Sequence, residues 1–202
     1  MSKLLPVFYL PPVSWFAEFL AAGEVVLEQH ENFPKQTYRN RANIYGANGK
    51  LSLIIPISHG GSRALKDTKV CNRENWQSLH WKSIKTAYQT SAYFEYYEDR
   101  LAEIYHIKTD HLLEFNLHAL DVIQRVLQTE QTYRLTTSYE AAPEAEDFRA
   151  AFSPKQPTAY DTPEYFQSFS SKYGFLPDLS VLDLICNKGP EVRTYIKSIL
   201  NP

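Results

Sequence analysis

The chain has 202 residues, 44% of them hydrophobic and 22% charged, with a net charge of −2, which is length enough for one domain with a sizeable core. That balance excludes a general attraction to nucleic acid or anionic lipid, whose binders carry a basic excess or stripe, and no nucleic-acid partner is expected. Cys71 and Cys186 are too few for the paired framework of a small secreted fold, so a cytoplasmic protein with reduced thiols is expected.

The N-terminal run from Lys3 to about Gly23 imitates a signal peptide, but three prolines, Trp15 and Glu18 interrupt it. No segment reaches the roughly 20 apolar residues of a transmembrane helix. Leu4 to Leu10 reads as a buried strand stopped by Pro11-Pro12, after which Ser14 caps a helix carrying Trp15, Phe16, Phe19 and Leu20 on its buried side. Gly23 closes that helix and Val25-Val26-Leu27 supplies a second strand, which makes a β-α-β unit. Ligands of such sheets lie beyond the carboxyl ends of the strands, here Tyr9 to Pro12 and Glu28-Gln29-His30.

A hairpin with Asn48-Gly49 as its type I′ turn follows. Strand alternation puts Arg39, Arg41, Asn43 and Tyr45 on one face. His59-Gly60-Gly61-Ser62-Arg63 reads as a flexible connection, since no nucleophile elbow or Walker lysine accompanies it. Helices are expected from Asn75 to about Gln89, from Tyr93 to about Ile107 and from Asp110 to about Gln128, and a strand at Thr132 to Ser138. Prolines break residues 140–163 into a long loop. Asp178 or Ser180 opens a short helix that Gly189 stops, and Pro190 starts the last one. The fold class is therefore α/β: one domain with an N-terminal β-α-β unit, a β-hairpin extension and a mainly helical C-terminal half.

The segment Gln36 to Ile44 concentrates two guanidinium groups, amides and a phenol where the hairpin begins. Arginine forks grip carboxylates, phosphates or sugar diols, and amides complete the grip, so this cluster fits a polar ligand. Tyr38, Arg39, Asn40, Arg41 and Asn43 are its candidate contacts; the bland alternative is a hairpin held by surface ion pairs of about 0–1 kcal/mol each.

In order along the chain stand Tyr9-Leu10-Pro11; Tyr38-Arg39-Asn40-Arg41-Ala42-Asn43-Ile44; Trp76 with His80, Trp81 and Lys82; Tyr93-Phe94 with Tyr97; and Leu179 to Asn187. This series resembles the WbqC-like family, although the family's Gln-Pro-Tyr opening is replaced here by Val7-Phe8-Tyr9. The family takes its name from polysaccharide and O-antigen gene clusters. The resemblance implies a role in building or modifying activated sugars and adds Trp81 to the ligand candidates.

His80 lies on the apolar stripe of its helix, where a hydrogen-bonded core histidine competes with a general base. His30 sits at the expected rim of the sheet and is the second candidate base. Asp183 and Asn187 share one helix face and could act as a polar pair, but Ser180-x-x-Asp183 also reads as a capping arrangement. Six histidines without close paired spacing give metal binding little support, and no cofactor is identified. The expected function is acyl or aminoacyl transfer to a nucleotide-activated or lipid-linked amino sugar. The rivals are a nucleotidyltransferase, weakened by the absence of His-x-Gly-His, and a non-catalytic sugar-binding or scaffold protein.

Overall fold

In the computed structural model, which describes residues 1–58, 60 and 62–200, β1 (Ser2–Pro6) and β2 (Glu24–Glu28) run parallel in register from Ser2↔Glu24 to Pro6↔Glu28. Between them α1 (Val13–Ala21) buries Trp15, Phe16 and Phe19. The β-α-β unit is as expected, and it is widened on both sides. β5 (Tyr133–Leu135) pairs parallel with β2, and β6 (Glu146–Asp147) pairs parallel with β1, giving the order β5-β2-β1-β6. The long 140–163 loop thus contributes a two-residue strand, which periodicity cannot register at that length.

β1 stops at Pro6, short of the expected Leu10. Its terminal carbonyl is taken by the Trp15 indole N–H at 3.0 Å, and the Tyr9 amide donates instead to the Tyr38 carbonyl at 2.9 Å. Ser14 does not cap α1, because the helix starts one residue earlier. The Asp178 carboxylate does so from the far end of the chain, accepting from the Ser14 amide and hydroxyl at 2.8 Å each.

β3 (Arg41–Gly46) and β4 (Gly49–Ile54) form the hairpin. Its loop is Ala47-Asn48, and Gly49 at φ +94° is the position there with positive φ. A type I′ turn needs two such residues in succession, so that expectation is corrected. The second half holds α2 (Trp76–Tyr88), α3 (Phe94–Ala102), α4 (Leu112–Leu127), α5 (Ser170–Tyr173), α6 (Val181–Lys188) and α7 (Val192–Leu200). Gly189 ends α6 at φ +52°, and an added Cβ would sit 2.4 Å from the Tyr93 ring, so glycine is required there twice over. One apolar cluster joins α1, the sheet, the hairpin and the helical half. None of the helices described is long and apolar enough to cross a membrane.

Candidate functional site

The chain leaves β2 at Glu28 and reaches β3 at Arg41 through a segment that walls two cavities. Phe33, Lys35, Gln36, Asn40 and Arg41 line one, of about 790 Å³. His30, Glu31, Asn32, Pro34, Thr37 and Arg39 line the other, of about 670 Å³. At the bend between them Gln36 takes φ +60°, a left-handed conformation uncommon outside glycine.

The larger cavity is a cationic cleft. Its far wall is formed by residues 55–58, 60, 62, 63, 68 and 69, where the Phe33 amide donates to the Arg63 carbonyl at 2.7 Å and the Ser58 amide to the Lys69 carbonyl at 2.9 Å. This brings Lys35, Arg41, Arg63 and Lys69 around one space, with no carboxylate among its described lining residues. The buried Nε of Arg41 has no hydrogen-bond partner. An unmet buried donor costs about 1–3 kcal/mol, more when it is charged, and an anion entering the cleft would relieve both that cost and the mutual repulsion. Asn40 anchors the cleft: its side-chain amide donates to the Ile55 carbonyl at 2.9 Å, while its own carbonyl accepts from the Ile55 amide at 2.8 Å.

The smaller cavity lies beyond the carboxyl ends of β2 and β6, where parallel sheets bind ligands. Charge pairs built into the fold furnish it. Arg39 donates through Nε and Nη2 to both oxygens of Glu31, at 2.6 and 2.7 Å, and through Nη2 to the Arg149 carbonyl at 3.2 Å. Burial pushes the Glu31 carboxyl up, and Arg39 opposes the shift. Glu28 is fully buried; it accepts from the His30 amide at 2.7 Å, the Thr136 hydroxyl at 2.9 Å and Arg149 at 3.2 Å. Arg149 also grips Asp147, whose carboxyl it holds below the usual range, and lies 4.7 Å from the Tyr139 ring centre.

The two arginines of the motif therefore do not point the same way. Arg39 precedes the strand and is consumed by Glu31, whereas Arg41 lines the open cleft. Tyr38 and Asn43 line a third cavity of about 320 Å³; burial, with the Asp178 charge next, pushes the Tyr38 phenol up to about 12. His30 is half-buried in the rim cavity. His80 shares a hydrogen bond through Nδ1 with the Tyr9 hydroxyl at 2.9 Å, and burial pulls its pKa down to about 4, the state of a core histidine. Trp81 packs against Phe94 and Tyr105.

Asp183 is buried and accepts from the Tyr165 hydroxyl at 2.6 Å and the Gln167 amide at 3.0 Å. Asn187 donates back to the Asp183 carbonyl at 2.8 Å. Ser180 accepts from the Leu182 amide at 3.3 Å, as a capping residue does. This group ties residues 165–176 to α6 and lies apart from both cavities. Lys35, Arg63 and Lys69 in the cleft, and Glu31 and Arg149 at the rim, were not singled out by sequence reasoning, which did place Glu28 at the rim with His30. The flexible connection expected at His59-Gly60-Gly61-Ser62-Arg63 includes His59 and Gly61, which lie outside the described residues.

Residues 7–155 match the model of the WbqC-like protein family. That span contains the lining of the cationic cleft and of the rim cavity, while the Leu179 to Asn187 motif falls outside it. Across 94% of each chain the sequence is 24% identical to "Uncharacterized protein Rv1507c" of Mycobacterium tuberculosis (strain ATCC 25618 / H37Rv). No solved structure matches. The family match covers well over half of the chain, which belongs to the WbqC-like protein family.

Proposed function

We propose that this chain is a transferase of polysaccharide or O-antigen-type sugar biosynthesis that binds a phosphate-bearing amino sugar in the cationic cleft and acylates or aminoacylates its amine. The observation that carries the reading is the cleft itself: four cations, no carboxylate among the described lining residues, and a buried Arg41 Nε without a partner. The cations hold the phosphate and set the orientation of the amine. His30 is the better base, because it lines the neighbouring rim cavity, which the amine end of the substrate must reach from the cleft, whereas His80 is committed to Tyr9 in the core. In this step the amine nitrogen attacks the carbonyl carbon of an acyl thioester and an amide C–N bond forms. The C–S bond breaks, the thiolate leaves with the electron pair, and the amine proton passes through His30 to it.

Incubating the protein with a phosphorylated amino sugar and an acyl thioester, and following the amide by mass spectrometry, tests this. Loss of His30 in His30→Ala should slow product formation by about 10²–10⁴-fold, the usual worth of a positioned base, without changing sugar binding. Equal rates in wild type and His30→Ala would remove His30 from the mechanism. A second reading, a non-catalytic sugar-binding protein, is favoured by the lack of any carboxylate or imidazole among the described residues of the cleft. It expects ligand-induced stabilisation without product. Release of pyrophosphate from a nucleoside triphosphate would point instead to nucleotidyl transfer.

A further inference from the structure

Taking as given that the cationic cleft receives a phosphate, we infer that its ligand is a diphosphate carried on a branched aliphatic chain, not on a nucleoside. Lys35, Arg41, Arg63 and Lys69 bring four positive charges to one cleft, and no carboxylate among its described lining residues offsets them. A single carboxylate or a phosphodiester, with one negative charge, leaves most of that charge unmet; a diphosphate brings at least two.

The rest of the lining is aliphatic. Ile54, Ile55, Pro56 and Ile57 form a continuous apolar stretch, with Phe33 across from it in the same lining. Ile54 pairs directly opposite Arg41 in the β3–β4 register, so the two side chains stand side by side on one face, with Cβ atoms about 4.5–5.5 Å apart. A cation beside an aliphatic side chain matches the junction of a phosphate with a hydrocarbon. Ile54 itself is 45% exposed, so the aliphatic lining opens to solvent beside Arg41.

A nucleobase would find little here. Base recognition uses aromatic faces for stacking and free amides or hydroxyls for the base edges. Phe33 is the one aromatic ring among the described lining residues, the Asn40 amide nitrogen is committed to Ile55, and the Ser58 and Thr68 hydroxyls donate to the Val70 and Ala64 carbonyls, which leaves the Gln36 amide and the Ser62 hydroxyl for a base edge.

Titration calorimetry with inorganic pyrophosphate, geranyl diphosphate and uridine diphosphate separates the possibilities. Geranyl diphosphate should bind at least tenfold tighter than pyrophosphate, an increment that two or three buried methylenes supply, and uridine diphosphate no tighter than pyrophosphate. Ile54→Ser should erase the advantage of geranyl diphosphate while leaving pyrophosphate affinity unchanged. Uridine diphosphate binding tighter than geranyl diphosphate, or a geranyl advantage that survives in Ile54→Ser, overturns the aliphatic assignment and leaves the phosphate reading intact. Failure of all three to bind overturns the phosphate reading itself.

Discussion

Replacing Arg39 by alanine is expected to cost about 3–5 kcal/mol of folding stability, whereas replacing Arg41, two residues away, should cost less than about 1 kcal/mol. Arg39 is only 3% exposed and meets both oxygens of Glu31, which is itself buried. It also reaches the Arg149 carbonyl and lies over the Phe8 ring. Its removal strands a carboxylate that burial already disfavours, and an uncompensated buried charge is far more costly than the pair is valuable. The double replacement Arg39→Met with Glu31→Leu should therefore recover most of the loss. Arg41 has no hydrogen-bond or ion-pair partner among the described residues, so the fold has little to lose. Guanidinium unfolding of the four proteins at pH 7 measures this. Equal losses for the two single variants would mean that the Glu31 pair does not hold the segment.

The second large effect is on acid stability. His80 stays neutral in the folded chain down to about pH 4 because burial penalises its charged form, while in the unfolded chain it takes up a proton near pH 6.5. Between those values the unfolded chain binds the additional proton. The contribution is intact above pH 6.5 and is lost as the pH falls towards 4, by about 3 kcal/mol at the limit. Glu31, Asp178 and Asp183 act in the opposite direction, since burial raises their carboxyl pKa values and the folded chain holds those protons more tightly. Comparing wild type with His80→Gln cancels the carboxylates. Between pH 7 and pH 4.5 wild type should lose about 2 to 3 kcal/mol more than the variant in urea unfolding; parallel losses would show that His80 is not held neutral.

Much of this fold could be read from local pattern. Apolar runs and turn residues marked β1, β2, α1 and the main helices, and Gly189 marked the end of α6. What escaped depended on partners distant in sequence: the cap that Asp178 gives α1, the two-residue β6, and the early end of β1 at Pro6. The site divides in the same manner. Asn40 and Arg41 stand out as a local cluster, and both line the cleft. Lys35, Arg63 and Lys69 carry no signal as isolated cations, because it is the return of residues 55–58 and 62–69 onto the 33–41 segment that gathers them. Alternation also misled for Arg39, since the strand begins only at Arg41 and the buried partner Glu31 takes the earlier guanidinium.

The most direct test of the cationic cleft is a calorimetric titration of inorganic pyrophosphate into wild type and Arg41→Ala at two salt concentrations. One-to-one binding that weakens with salt and falls at least a hundredfold in Arg41→Ala is the expected result, since charge-assisted contacts to a partly buried guanidinium dominate the affinity. Binding of equal strength in the two proteins, or none in wild type, would contradict the assignment of the cleft as an anion site.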